Sequence, residues 1–334
     1  MVSYMWRSED ILMPPKKKTD TFATIDEMLE NGQLMRGDDE RLVVQRIPIG
    51  IPDLDEIING GIPRHRITIL TGNYSSGKSF LAQLLMKHAI DMGLQVAYID
   101  TEQTYDPNWW AQVGLPLDKV LVSQPIIGED AVDTAIAVVK SGIDIVVIDS
   151  LAALVPHEET EEDAAKKFIG LQARLIGKLL RLLLSAQHNS AIVCTNQLRE
   201  SIGGPVPYDV MPGGRAQGFF SSLILRTQRT GWIEDKGERI GFNMQIVCRK
   251  SKVGQPFKEC VLPFLFRGKI DELSLLLDRG IEADVVKQKG AWYFLHFGGL
   301  EGEKVLGRNA LVTKLSDEPD LQEQLKKVLG ESRA

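Results

Sequence analysis

Residues Gly72-Asn73-Tyr74-Ser75-Ser76-Gly77-Lys78-Ser79 have the spacing G-x-x-x-x-G-K-[ST], which suits a loop that grips the phosphates of a nucleotide. Gly72 and Gly77 allow the backbone to wrap closely enough for its N–H groups to cradle phosphate oxygens at a helix N-terminus. The Lys78 ammonium can reach the β- and γ-phosphates, and the Ser79 hydroxyl can ligate Mg²⁺. The flanks agree: an apolar run, Ile67 to Thr71, precedes the loop, and an amphipathic stretch, Phe80 to Met92, follows it. The expected ligand is a nucleoside triphosphate such as ATP, with Mg²⁺.

Hydrolysis of such a ligand needs a carboxylate for the metal's water shell and a group that activates the attacking water. Asp149 closes the buried-type strand Asp144-Ile-Val-Val-Ile-Asp149 and takes the first role. Asp144 starts that strand at its far end and is expected to be structural. Glu102 lies just beyond Tyr98-Ile-Asp100, at another strand tip, and is the candidate general base. Trp109 and Trp110 follow Asp106-Pro107; an indole there could stack on a nucleobase, although an aromatic pair is more often core packing.

These residues must be held by alternating strands and helices. Strands are expected at 66–71, 95–100, 144–149, 191–196, 221–228, 242–249 and 258–264, with helices at 78–93, 129–141 and 164–187. Early β-α-β units followed by a run of strands predict an α/β fold, with a mostly parallel sheet, an antiparallel extension and helices on both faces. Three sections result. Residues 1–41 form a polar arm with one helix-like stretch at 25–30; residues 42–267 form the core; residues 268–334 form a small α/β domain with helices at 271–279 and 318–329 around a strand at 291–296.

The chain has 334 residues, 43% of them hydrophobic and 25% charged, which is ample for a buried core. No apolar run approaches a membrane span, and residues 1–10 lack the charged-then-apolar pattern of a secretory signal, so no membrane association and a cytoplasmic location are expected. Cys194, Cys248 and Cys260 lack metal-ligand spacing and read as reduced core thiols. A net charge of −6 excludes a surface that is basic everywhere, but leaves room for a local basic groove. The run Pro14 to Lys18 reads as a solvated linker.

In order and spacing, eight segments resemble the RecA recombinases of bacteria and their phage relatives: GIPDLDEIINGGIP (50–63), GNYSSGKS (72–79), YIDTEQTYDP (98–107), VVIDSLAAL (146–154), TNQLR (195–199), PGGRAQGFF (212–220), CRKSKVGQPFKE (248–259) and GAWY (290–293). The resemblance runs from about residue 45 onward. It implies a RecA-type ATPase core with an N-terminal oligomerisation arm and a small C-terminal domain. The implied activity is DNA-dependent ATP hydrolysis. It also implies a helical filament of identical subunits on single-stranded DNA, which pairs with homologous double-stranded DNA and exchanges strands. Gln197 would sense the γ-phosphate. Lys250 and Lys252 would project into the neighbouring subunit's ATP site. Asp106 and Trp109 fall where the family contacts and stacks on adenine, Trp109 in place of a tyrosine. In the arm, Ile25, Met28 and Leu29 could form the face that packs on a neighbour.

The resemblance further implies two DNA-binding loops, at about 157–169 and 200–214. The first is acidic over His157 to Asp163, so Arg174 and Arg181, seven residues apart on the following helix, are the better phosphate ligands. Ile169 and Ile202 resemble side chains that wedge between bases, while Arg199, Gly213, Gly214 and Arg215 would flank backbone contacts. The chain departs from the usual pattern at Arg215 (Asn), Gly177 (Ser) and Gly218 (Lys). An ATP-switched assembly or signalling protein of the KaiC-like sort remains the alternative, sharing the phosphate loop and the GIPDLDEIINGG lead-in; the 197–215 region discriminates between the two.

Overall fold

The computed structural model describes residues 21–161, 170–186, 188–200, 209–299 and 302–330. Among the described residues, those from 21 to Val44 form one compact unit, containing α1 (Thr21–Glu30), and those from Gln45 onward form another. On α1, Ile25 is exposed and Met28 and Leu29 are half-buried.

The larger unit opens with β1 (Arg46–Ile47), α2 (Pro52–Ile57) and β2 (Ile62–Pro63). An alternation follows: β3 (Ile67–Gly72), α3 (Lys78–Asp91), β4 (Val96–Asp100), α4 (Pro107–Val113), β5 (Val120–Ser123), α5 (Gly128–Lys140), β6 (Ile145–Asp149), α6 (His157–Glu161), α7 (Leu171–Ser185) and β7 (Ala191–Gln197). After the short strands β8 (Arg199–Glu200) and β9 (Asp209–Val210) come α8 (Ala216–Phe220), then β10 (Leu223–Asp235), β11 (Glu238–Ser251), β12 (Glu259–Leu265) and β13 (Lys269–Ile270).

Nine of these strands form one sheet in the order β13-β12-β11-β10-β3-β7-β6-β4-β5. From β10 to β5 the neighbours are parallel; from β10 to β13 they are antiparallel. The central strands are buried on both faces, hence their near-continuous apolar sequences. Alternation still sorts the faces: Leu70, Val147 and Val193 pack with α3 and α4, whereas Ile69, Ile148 and Cys194 pack with α5 and α7. The expected α/β architecture, with its antiparallel extension, is what forms.

Several expectations needed adjustment. Strands expected at 221–228 and 242–249 are the inner parts of a long hairpin, 13 and 14 residues per strand, because its outer half alternates polar and apolar residues too weakly to read as strand. The first expected DNA-binding loop opens as helix α6, and its remainder at 162–169, including Ile169, lies outside the described residues. The helix α4 was missed, although Asp106 caps it through the Asn108 N–H at 2.9 Å and Pro107 occupies its first turn. Towards the C-terminus, α9 (Glu272–Glu282), α10 (Arg308–Asp317) and α11 (Pro319–Val328) enclose a separate apolar cluster with β14 (Val286–Lys289), β15 (Trp292–Leu295) and β16 (Lys304–Leu306). Only the middle strand and the outer two helices had been expected there.

Candidate nucleotide and nucleic-acid site

The carboxyl ends of β3, β4, β6 and β7 face one rim, where open α/β sheets bind ligands. The phosphate loop leaves β3 and enters α3 at Gly77, whose φ of 93° is left-handed. A Cβ at Gly77 would also run into the Met244 sulfur of β11, so this position requires glycine twice over. Ser76 is buried and shares a 2.7 Å hydrogen bond with Thr227 of β10, which pins the loop from below. Asn73, Tyr74 and Ser75 are exposed at its crest, and Ser79 is half-buried in the first turn of α3. The Lys78 ammonium donates to the Gly72 and Asn73 carbonyls at 3.2 and 2.9 Å. Burial lowers its pKa, against the opposing pull of Asp149 and Glu102.

Asp149 ends β6, 2% exposed, and accepts from the Tyr98 hydroxyl at 2.9 Å and from the Thr195 hydroxyl. Asp149 lies close enough to Tyr98 that burial, together with the carboxylate, raises the phenol's pKa and keeps it a donor. The Asp149 carbonyl accepts from the Thr101 and Glu102 N–H groups at 2.9 and 3.2 Å, tying the tip of β4 to the tip of β6. The Glu102 carboxylate accepts from the Ser150 hydroxyl at 2.5 Å and lies 3.5 Å from the Gln197 amide nitrogen. Gln197 in turn pairs in register with Gly72, and the Leu198 N–H donates to the Gly72 carbonyl at 3.0 Å. Lys78, Glu102, Asp149 and Gln197 are thus brought to one place. Asp144, at the far end of β6, pairs with Arg64 at 2.8 Å and is structural, as expected.

The donor chemistry fits a Mg–nucleotide. Ser79 and Asp149 offer a hydroxyl and a carboxylate, the hard oxygen donors that Mg²⁺ takes alongside phosphate and water. Beside α3, the Trp109 indole is half-buried, packs against the core and donates to Gln83 at 3.3 Å. Asp106 is exposed.

Lys250 and Lys252 stand at the end of β11. In the single chain, Lys250 donates to the Gly218 and Ser221 carbonyls at 2.5 and 2.6 Å, and Lys252 to the Phe219 carbonyl at 2.8 Å. Burial, and then the charge of Lys252, lowers the pKa of Lys250. Arg46 holds the turn beyond them through the Val253 carbonyl at 2.6 Å.

On the second face, α7 buries Leu175, Ile176, Leu179, Leu180 and Leu183 and exposes Arg174, Lys178 and Arg181 along one stripe. Arg199 is exposed at β8, which pairs with β9 to close the base of the second segment. Gly213 and Gly214 are left-handed and lie against Ile176 and Ala173 of α7, and Arg215 is exposed at the cap of α8. A Cβ at Gly177 would lie 3.6 Å from Ala216, an ordinary contact. The second segment therefore rests on α7. Ile202 falls outside the described residues.

Sequence reasoning missed Ser150, Tyr98, Thr195 and Thr227, the hydroxyls that orient the site. Tyr98 and Ser150 adjoin recognised motifs, but nothing local marks Thr227, which lies 151 residues from Ser76.

A family model described as the RecA N-terminal domain matches residues 16–271. A protein RecA of Frankia casuarinae is 37% identical over 325 residues, covering 95% of this chain and 92% of that protein. Proteins RecA of Leifsonia xyli and Acholeplasma laidlawii are each 37% identical, over 317 and 314 residues, covering 92% and 91% of this chain and 88% and 92% of theirs. With likeness of that depth over nearly the full length of both partners, the chain belongs to the RecA family.

Proposed function

We propose that the rim built by Gly72–Ser79, Glu102, Asp149 and Gln197 hydrolyses ATP with Mg²⁺ and that nucleotide state governs the grip on DNA. The function is that of the family, homologous recombination by strand exchange. In this reading Lys78 and the loop N–H groups hold the phosphates, while Ser79 and Asp149 hold the metal directly or through its water. Bound Mg²⁺ supplies charge neutralisation across the phosphates. Glu102 orients and deprotonates the attacking water, and Asp106 and Trp109 border the base. Lys250 and Lys252 complete a neighbouring subunit's site, so that full turnover requires the filament. Arg174, Arg181, Arg199, Gly213, Gly214 and Arg215 contact the DNA backbone, and Ile169 and Ile202 separate its bases. The chain divides into an arm at 1–41, the ATPase core at 42–267 and a C-terminal domain at 268–334.

The observation that carries this reading is the contact between Gln197 and Glu102 at 3.5 Å. It joins the hydrolytic carboxylate to the strand that runs directly into the candidate DNA segment. A KaiC-like assembly protein would have no use for that connection. Strand exchange between circular single-stranded and homologous linear duplex DNA tests it. Joint molecules should form only with ATP and Mg²⁺; ATP-stimulated DNA binding without pairing would sink the recombinase reading. Among the described residues, no helix is long and apolar enough to cross a membrane.

A further inference from the structure

Asn196 and Gln217 are both fully buried, and their side chains meet. The Asn196 amide nitrogen donates to Gln217 Oε1 at 2.6 Å and to the Pro212 carbonyl at 3.0 Å, and the Gln217 amide nitrogen donates to the same carbonyl. The reversed Asn196 amide would set oxygen against two acceptors, so its orientation is determined. In this orientation Asn196 Oδ1 is buried without a hydrogen-bond partner among the described residues. Two buried amides converging on one carbonyl stand or fall together, because a member left unpaired bears its full desolvation cost.

The location of this junction gives it a role. Asn196 immediately precedes Gln197 on β7, and successive side chains of a strand point to opposite faces. A shift of the backbone at Gln197 is therefore delivered to Asn196 on the α7 and α8 side. Pro212 lies within the last part of the candidate DNA segment, and Gly213, next to it, is wedged against Ile176. On the other side of α8, the Gly218, Phe219 and Ser221 carbonyls hold Lys250 and Lys252. The short helix α8 thus touches the strand of the phosphate sensor, the base of the DNA segment and the lysine pair, and Gln217 is its buried polar link to the first two.

We propose that Gln217 is a positioning residue that transmits the nucleotide state from Gln197, through Asn196, to the segment at 209–215. The inference rests on the proposed ATPase and DNA-binding roles. It requires that DNA-stimulated turnover depend on an amide at 217 while nucleotide binding does not.

The test uses the full-length chain with Gln217→Leu, the milder Gln217→Met, Asn196→Ala and the double variant Asn196→Ala/Gln217→Met. Affinity for Mg–ATP should stay within twofold of the parent. The ratio of turnover with single-stranded DNA to turnover without it should fall at least tenfold, through kcat rather than KM for ATP. The double variant should be no worse than either single change. Hydrogen exchange on the parent, which needs no variant, should show residues 209–216 gaining protection when Mg–ATP is added without DNA. An unchanged stimulation ratio in a folded Gln217 variant overturns the inference, as does a proportional loss of ATP affinity or exchange at 209–216 that ignores Mg–ATP. A parent chain without DNA-stimulated turnover overturns the underlying functional reading, and the inference with it; stimulation in the parent that survives Gln217→Met overturns the inference alone.

Discussion

Glu102 is oriented by the Ser150 hydroxyl on its carboxylate and by the Asp149 carbonyl on its N–H. Glu102→Gln keeps the shape and loses the base, so turnover should fall by about 10²–10⁴-fold while ATP-dependent DNA binding persists. Lys78→Ala should abolish both. Phosphate release and anisotropy of labelled single-stranded DNA measure the two quantities, and normal turnover in the Gln variant would remove Glu102 from the chemistry. The hydroxyl of Thr227 offers a subtler case. Thr227→Val preserves its volume and deletes its bond to buried Ser76, at a cost of about 1 kcal/mol. Thermal denaturation should therefore show a midpoint lowered by about 2 °C; an unchanged midpoint would reduce Thr227 to a spacer.

Helix α7 seats its apolar side in the core, and its exposed stripe carries Arg174, Lys178 and Arg181. If Arg174 contacts a phosphate, Arg174→Ala should weaken single-stranded DNA binding evenly across sequences and reduce the slope of log K against log salt by about 0.7. An unaltered slope would return Arg174 to the solvent. At the other end of α7, His188 accepts from the Ser190 N–H at 3.1 Å and sets its other ring nitrogen 2.9 Å from the Leu183 carbonyl, an arrangement that suits the neutral ring. Burial lowers its pKa from 6.5, and His65, whose ring lies 5.4 Å away at a tilt of 35° and whose pKa is lowered by burial and by Arg66 and Arg64, behaves alike. The unfolded chain therefore takes up protons first as pH falls. The stability due to these rings is complete above about pH 6.5 and is lost progressively below it. Urea midpoints should drop more steeply between pH 7.5 and 5.5 for the parent than for His188→Gln; parallel slopes would exclude the histidine.

At the scale of the whole molecule, the proposal that a neighbour's lysines complete the site can be tested by complementation. Chains with Glu102→Gln and chains with Lys250→Ala should each be nearly inactive alone, yet a mixture should recover part of the turnover, because some head-to-tail interfaces then combine an intact base with an intact lysine. Additive inactivity would place the whole site within one chain. The negative total charge of −6 is compatible with DNA binding only if the basic groups are gathered, and α7, β8 and the cap of α8 gather Arg174, Arg181, Arg199 and Arg215 on neighbouring elements.

By itself the sequence determined the phosphate loop, the strand tips that carry Glu102 and Asp149, the parallel order of β-α-β units and the family resemblance. Each of these is written in short-range patterns: glycine spacing, apolar runs of strand length and acids at strand ends. What only the tertiary structure decided is which distant residues share an atom's neighbourhood. Ser76 meets Thr227, Asn196 meets Gln217, and Lys250 lies on the carbonyls of α8, across separations of 151, 21 and at least 29 residues. Side-chain hydrogen bonds between elements leave no period and no motif in a single chain. They arise when the packing of β10 and β11 beneath the phosphate loop, and of α8 against β7, brings buried polar groups together that must then pair with whatever lies within reach.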